Sequence, residues 1–596
     1  MKTRWIEHKE VDKQLVSNIK EKLGIDENLA ILLVQRGITT YDEAKSFFRP
    51  SLDSLHDPFL MKDMDKAVER IEKAIENKEK VLVYGDYDVD GTTAVAVVYL
   101  YLKRFFNKKR IEFYIPDRYE EGYGISYKGI DYAADNDFSL VIALDCGIKA
   151  VEKIEYANSR NVDFIICDHH RAGDAIPNAV AVLDPKRPDC EYPDKDLSGC
   201  GVGFKLVTAL CQRKGGATEE LYDSLDLLAV SIAADIVPII GENRVLAHYG
   251  LDKLNQNPRP GFLAMLQYAN VFPKNDSDND TDDNALTRKL TISDLVFKIG
   301  PRINAAGRID KASNAVRLLT TDRHELALKL ASSVNELNDT RREYDNSITE
   351  EALGMINADE ELRNAHSTVV FNEEWHKGVI GIVASRLTDY YFRPTIVLTR
   401  ANDLITGSAR SIKDFDIYDA IDSCSDLLEH FGGHKYAAGL SLKPENLDEF
   451  RHRFENYVAT HISEDDLVPD VEIDLNINFK DITPKFVRIL KQFAPFGPGN
   501  MAPLFRTDGV VDTGYSRQVG GAGKHLKLSI TQPNQDNDNT EEVVQFNAIA
   551  FQKGDLYERI HSGEPFSICY HIEENFWQGK TTLQLNVKDI KFADEL

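Results

Sequence analysis

The chain has 596 residues, of which 42% are hydrophobic and 28% charged, with a formal net charge of −26. That length suits roughly three or four domains, and the acidic balance excludes a globally basic nucleic-acid binder without excluding a local basic groove. No stretch reaches the ~20 apolar residues that span a bilayer, no apolar segment follows the start MKTRWIEHKEVDKQ, and the seven cysteines form no C-x-x-C pair, so a cytoplasmic protein with reduced core thiols is expected.

Residues 1–79 read as a helical N-terminal segment packing on the domain that follows. Apolar residues recur at helical spacing around Ala30–Gln35, Tyr41–Phe48 and Met64–Ile75, broken by Gly37 and Arg49-Pro50. From 80 to 321 the pattern changes to short apolar runs alternating with helices. Val81–Tyr84, Ile111–Ile115, Leu140–Leu144, Phe164–Cys167 and Ala179–Leu183 are continuous rather than alternating, as in parallel strands buried on both faces. Residues 276–283 hold five aspartates and read as a solvated surface loop. A long helix over 322–357, with Leu330, Val334, Leu337, Tyr344 and Ile348 on one face, links to a second α/β unit over 358–465. There Ser367–Phe371 and Thr395–Leu398 read as strands and Val379–Leu387 as a helix, with glycine turns at Gly407 and Gly432-Gly433. Over 466–596, five strand-like runs with turn signals predict a small β-barrel.

Ligands of a parallel sheet bind beyond the carboxyl ends of its strands. Asp86, Asp88 and Asp90, then Asp145, then Asp168-His169-His170 all fall there. Carboxylates this crowded repel unless a cation neutralises them, and carboxylate with imidazole suits manganese or magnesium. If the backbone is extended, the alternating triplet faces one point, and Gly91 permits the turn into a helix near Thr92; a capping Asp with solvated neighbours is the alternative. Asp145 could likewise be a cap. His169 and His170 would point to opposite sides, leaving one for metal and one for a phosphate. Asp235, in an otherwise apolar passage, needs a buried partner, for which a metal serves. Two such ions suit phosphodiester hydrolysis. Gly407-Ser408-Ala409-Arg410 offers amides, a hydroxyl and a guanidinium to a terminal phosphate.

In order, VYGDYDVDGTT, ALDCG, CDHH and AADIVP resemble the motifs of the DHH phosphoesterase superfamily. IPDRYEEGYGIS, LSGCGVGFKL, GPRINAAGRID, WHKGVIGIVASRL, GSARS, FGGHKYAAG and FAPFGPGN narrow the resemblance to its bacterial RecJ exonuclease family. The resemblance covers nearly the whole chain. It implies a DHH-type parallel-sheet domain, a linking helix, a DHH-associated α/β domain and an OB-type barrel. The implied activity is 5′→3′ exonucleolytic release of mononucleotides from single-stranded DNA, using two Mn²⁺ or Mg²⁺ ions, in recombination and repair. Carried over by motif, Asp88, Asp90, Asp145, His169 and Asp235 would be metal ligands. Asp86 would support the first site as a catalytic residue, and His170 would contact phosphate. Ser408 and Arg410 would hold the 5′-phosphate, with Arg118, Arg308 and Arg302 as further contacts and His376 and His434 along the strand's path. Lys524, His525, Lys527 and Trp577 would bind the strand on the barrel. Tyr84 stands where related pyrophosphatases place a ligand histidine, which disfavours that branch. A monomer is expected, with single-strand-binding protein and a RecQ-type helicase as implied partners. The barrel pattern runs close to the last residue, so the extra C-terminal domain of some Gram-positive relatives is not expected. A dinucleotide phosphodiesterase and a non-catalytic scaffold are the competing readings: the barrel disfavours the first, and the full set of acids disfavours the second.

Overall fold

The computed structural model describes residues 3–269, 271, 288–309, 311–533, 544–577 and 580–595. The aspartate-rich stretch 276–283 lies outside them. The chain opens with strand β1 (Arg4–Glu7), which pairs in parallel with a strand over Asp470–Ile473. Helices Lys13–Leu23, Glu27–Gln35 and Tyr41–Phe48 follow. Their apolar faces bury Val16, Ile19, Leu29, Leu33 and Ala44 in one cluster with Phe486, Phe493 and Phe505. The expectation that residues 1–79 pack as a helical unit on the domain after them is therefore corrected. The part from Leu52 to Glu76 does so, through Leu52, Leu55, Phe59 and Met61 and then Met64, Val68 and Ile71 of helix Met64–Glu76. Periodicity shows which face of a helix is buried, not against what, and here the partner is the far end of the chain.

The continuous apolar runs form β2 (Lys80–Gly85), β3 (Ile111–Tyr114), β4 (Phe138–Leu144), β5 (Asp163–Cys167) and β6 (Ala181–Leu183). They make one parallel sheet in the order β3-β2-β4-β5-β6. Both faces are covered by helices, which explains the absence of polar alternation. The 35-residue helix His324–Ala358 buries Ala327, Ala331 and Val334 in this core and Ile348, Ala352 and Ile356 in the next one. It joins two hydrophobic cores as a single strut.

The next sheet contains β7 (Thr368–Phe371), β8 (Thr395–Ala401), β9 (Leu404–Arg410), β10 (Leu428–His434) and β11 (Ala437–Leu442), in the order β10-β11-β9-β8-β7. Gly407 and Gly432-Gly433 lie inside β9 and β10 rather than in turns. Together with Gly439 of β11, Gly407 and Gly432 line a cavity on this sheet. At Gly432 and Gly439 the missing side chains leave that face open, whereas a Cβ on Gly407 would point to the other face, 2.4 Å from Leu398 Cδ2.

The C-terminal unit holds β12 (Asp470–Ile473), β13 (Leu475–Asn476), β14 (Phe505–Asp512), β15 (Arg517–Val519), β16 (His525–Thr531), β17 (Gln545–Ala550), β18 (Phe566–Trp577) and β19 (Lys580–Phe592). The pairing β14-β18-β19-β17-β16 closes on itself through β14–β16, giving a barrel around Phe505, Leu528, Ala548, Tyr570 and Leu585. Among the described residues, no helix is long and apolar enough to cross a membrane.

Candidate metal centre and anion pocket

The three aspartates after β2 are not on an extended chain. The helix begins at Val89, before the expected Thr92, so the chain bends between Asp86 and Asp90. Asp88 is its N-cap, accepting a 3.0 Å hydrogen bond from the Gly91 amide, so the capping alternative holds for this one residue. Asp90, in the first turn, is buried and meets the start of a second helix, Gly199–Arg213. It accepts hydrogen bonds from the amides of Gly199 (2.6 Å) and Cys200 (2.8 Å) and from the Ser231 hydroxyl (2.7 Å). A helix N-terminus favours a carboxylate there. Asp86 is fully buried, and neither carboxylate oxygen has a hydrogen-bond partner.

Asp145 ends β4 with a left-handed backbone (φ 58°). The next helix starts only at Val151, so Asp145 is not its cap. A Cβ on Gly199 would lie 2.6 Å from Asp145 Oδ1, which is why glycine stands at that point of the LSGCGVGF motif. Asp235 caps the C-terminus of helix Leu225–Ala234. These acids converge on His169, whose Nε2 lies 3.2 Å from Asp145, 3.5 Å from Asp235 and 3.7 Å from Asp90.

Burial holds the His169 imidazole below its ordinary pKa, towards the neutral form, so these contacts are not ion pairs. Burial also raises the carboxyls of Asp86 and Asp145, well above the carboxylate range, and pushes Asp235 up to about 8; negative neighbours add to each shift. Asp145 Oδ1 and both His169 nitrogens have no hydrogen-bond partner. Buried acids around a neutral imidazole, with unpaired lone pairs, fit a cation donor set. Asp90, His169 and Asp235 present ligand atoms within 4.8 Å of one another, and so do Asp145, His169 and His170.

Asp168 orients rather than faces this centre. Its carboxylate accepts from the Ile148 amide (2.9 Å), the His169 amide (2.8 Å) and His170 Nδ1 (2.7 Å). Against the cost of burial, the His170 bond holds Asp168 down at about 2, and the same bond lifts His170 to about 9. The two histidine rings do not point apart, because the chain leaves β5 in a bend; their centroids are 4.6 Å apart. His170 Nε2 is 3.3 Å from the Tyr123 hydroxyl.

A second feature adjoins the first through Tyr87, between Asp86 and Asp88. The Arg118 guanidinium lies 4.9 Å over its ring. Arg118 then enters a cavity of about 490 Å³ with Arg308, Lys377, Ser408 and Arg410, floored by the glycines of β9, β10 and β11. Arg410 donates to Ser408 Oγ (3.1 Å) and Arg308 to the Gly378 carbonyl (3.0 Å). Among the described residues, no carboxylate forms a salt bridge with Arg118, Arg308 or Arg410. Burial, then the charge of Arg118, lowers Arg308 to about 10 and lowers Arg410 as well. Crowded guanidiniums without a counter-ion make an anion site.

Other expected residues lie elsewhere. Arg302 is buried and donates to Asn335 and to the carbonyls of Lys298 and Tyr268, a structural cross-brace outside the pocket. His376 stacks on Tyr344, with centroids 5.1 Å apart, and accepts from the Gly378 amide, beside the pocket but engaged in packing. His434 is exposed where β10 ends. Lys524 and Lys527 are exposed on the barrel, and His525 packs on Phe551. Trp577 ends β18 opposite Lys580, but its side chain lies outside the described residues.

Sequence reasoning missed Asp184, directly after β6 and fully buried, with Oδ2 unpaired. Burial and the charge of Asp168 raise it to about 7. Its signal was available, since it follows a strand as Asp145 and Asp168 do. Lys377 and Tyr123 were also missed; neither their type nor their spacing announces a site.

Comparison with known proteins agrees with this geometry. Residues 80–232 match the DHH family N-terminal domain, 364–460 the DHHA1 domain and 473–589 the RecJ OB domain. The chain is 32% identical to the single-stranded-DNA-specific exonuclease RecJ of Escherichia coli K12, covering 88% of this chain and 90% of that protein. The crystal structure of Thermus thermophilus RecJ with Mn²⁺ superposes with a TM-score of 0.80 at 26% identity, covering 99% of this chain and 79% of that one. The RecJ of Bacillus subtilis strain 168, also a single-stranded-DNA-specific exonuclease, is 35% identical over all of this chain and 71% of its own length. With its three matched domains in the same order, the chain belongs to the RecJ family.

Proposed function

We propose that this chain is a metal-dependent, single-stranded-DNA-specific exonuclease that works 5′→3′, releasing 5′-mononucleotides in DNA recombination and repair. The observation that carries the reading is the adjacency of two uncompensated sites. One is a buried acid–imidazole cluster lacking a cation, and the other an arginine pocket lacking an anion, with Tyr87 touching both. A strand with its 5′-phosphate in the pocket lays its first phosphodiester bond at the cluster.

Asp88, Asp90, Asp145, His169 and Asp235 hold two divalent ions, Mn²⁺ or Mg²⁺, with Asp86 supporting them from the buried side. When bound, the ions supply an activated water and offset charge on the oxygens in flight. Arg118, Arg308, Ser408 and Arg410 bind and orient the terminal phosphate, fixing which bond is cut. His170 is held through Nδ1 by Asp168 and offers its other ring nitrogen to the scissile phosphate. The closed barrel binds the strand downstream through Lys524, Lys527 and Trp577. The working state is a cytoplasmic monomer; single-strand-binding protein and a RecQ-type helicase are partners offered by the resemblance alone.

The test is a product time course on 5′- and 3′-labelled single strands with Mn²⁺ or Mg²⁺. Release of mononucleotides from the 5′ end, with duplex left intact, is expected. Hydrolysis confined to dinucleotides, or none at all, would overturn the reading.

A further inference from the structure

The loop after Asp235 is built unlike an ordinary helix end. The position following a helical C-cap is usually glycine or asparagine, because the backbone there turns left-handed. Here it is Ile236, a β-branched residue at φ 59°, a conformation that is a genuine outlier for this side-chain type. The strain does not bury the side chain, since Ile236 is 64% exposed. Ile240, at the far end of the same loop, is also exposed, while Val237 and Ile239 between them are buried.

The loop is held from behind. The Ile239 amide donates a 2.6 Å hydrogen bond to the Pro498 carbonyl, in the FAPFGPGN turn that leads into the barrel. A Cβ on Gly497 would lie 2.5 Å from Ile239 Cδ1, so only glycine lets the turn press so closely. Met501, just past the turn, is 65% exposed. Three exposed apolar side chains therefore flank the contact between a residue of the acid cluster and the barrel. Contacts run in order from the arginine pocket through Tyr87 to the acids, then Asp235, then this loop, then the barrel-side turn. The loop thus joins Asp235 of the cluster to the turn that leads into the barrel.

We propose that Ile236, with Ile240 and Met501, is an apolar lip that packs against the nucleobase of the second nucleotide, just 3′ of the bond to be cut. This deepens the exonuclease reading and rests on it. A strand that runs from the pocket across the acids towards the barrel passes this loop, because the loop connects Asp235 to the barrel-side turn. A base offers an apolar face to any such surface regardless of sequence. Backbone strain next to a functional group persists where the surroundings over-determine it, and the Pro498 clamp supplies that constraint. Contact with the second base stiffens the strand where it leaves the cluster and brings its scissile phosphate into register with Asp235.

The experiment uses the full chain with 5′-phosphorylated single strands that carry either a normal or an abasic second nucleotide. Ile236→Gly removes the side chain and suits the left-handed backbone, so its Tm should equal or exceed the parent's. On the normal strand its kcat/KM should fall roughly ten-fold, the loss of one well-packed apolar contact. On the abasic strand, parent and variant should be equal. Strand affinity by fluorescence anisotropy without divalent metal should repeat the pattern, and Ile236→Leu should recover most of the normal-strand rate. Equal losses on both strands, or no loss on either, would overturn the lip. A parent chain that degrades neither strand would overturn the exonuclease reading instead, so the two failures are distinguishable.

Discussion

At the scale of single residues, the centre is a set of groups that the fold alone does not satisfy. Burial and neighbouring acids push the Asp235 carboxyl up to about 8. The folded state then holds a proton that the unfolded state releases near 3.8. Such a group contributes stability at low pH that is lost as pH rises through the folded value. Without metal, Asp235→Asn should therefore melt above the parent, and the gap should widen as pH rises from 3.8 to about 8. Saturating Mn²⁺ should reverse the order, because only the parent keeps the full donor set. A gap that is flat with pH in calorimetric scans would refute the assignment. Asp145→Asn should cut Mn²⁺-dependent hydrolysis by more than the ~100-fold typical of losing an outer-shell partner, while affinity for single strands stays near the parent's. Asp86, Asp88, Asp90, Asp145 and Asp168 were legible in sequence because they follow apolar strands, and Asp235 because it interrupts an apolar passage. What each does was not: capping by Asp88 and orientation by Asp168 depend on how the backbone bends beside them, and the burial of Asp90 and the exclusion of Arg302 depend on partners far along the chain.

At the scale of elements, the anion pocket comes from strands whose side chains are missing. Gly432 and Gly439 face each other in adjacent strands β10 and β11, with Ser408 of β9 next in register, leaving a bare floor beside Ser408 and Arg410. Read along the chain, these glycines resemble turn signals. Only the pairing of strands distant in sequence reveals them as one surface. The strands themselves, the linking helix and the closed barrel were legible from hydrophobic patterning, since β2–β6 are continuous apolar runs and the strut carries one apolar face. Arg410→Ala should remove one charge-assisted contact to the terminal phosphate, about 1.5–3 kcal/mol, or roughly 10–100-fold. That loss should appear on 5′-phosphorylated strands and be small on 5′-hydroxyl strands. Equal losses in steady-state kinetics on the two substrates would remove the pocket from terminal-phosphate binding.

At the scale of the molecule, a buried cation joins the catalytic domain to the barrel, beside the Ile239–Pro498 contact. The Arg244 guanidinium lies 3.8 Å from the centroid of the Phe47 ring. It donates to the carbonyls of Phe47 (3.0 Å), Phe493 (3.0 Å), Ala494 (3.1 Å) and Pro495 (3.4 Å). One residue of the catalytic domain thus clamps both the N-terminal helices and the segment leading into the barrel. The N-terminal helices, read from sequence as a segment packing on the catalytic domain, pack on the barrel because their apolar faces complete its core. Arg244→Ala leaves the Phe47 and Ala494 carbonyls without this donor, while Asn500 Nδ2 still serves those of Phe493 and Pro495; the cost is about 1–3 kcal/mol, and Tm should fall accordingly. It leaves the acid cluster and the arginine pocket untouched. On the proposed reading a long strand engages pocket, centre and barrel together, so its affinity depends on their fixed spacing as an effective concentration, whereas a 5′-phosphorylated trinucleotide is taken up by pocket and centre. The variant should therefore raise KM for long single strands roughly ten-fold and lose much less on the trinucleotide. Equal losses on both would mean that Arg244 stabilises the catalytic domain alone and that the barrel's placement does not depend on it.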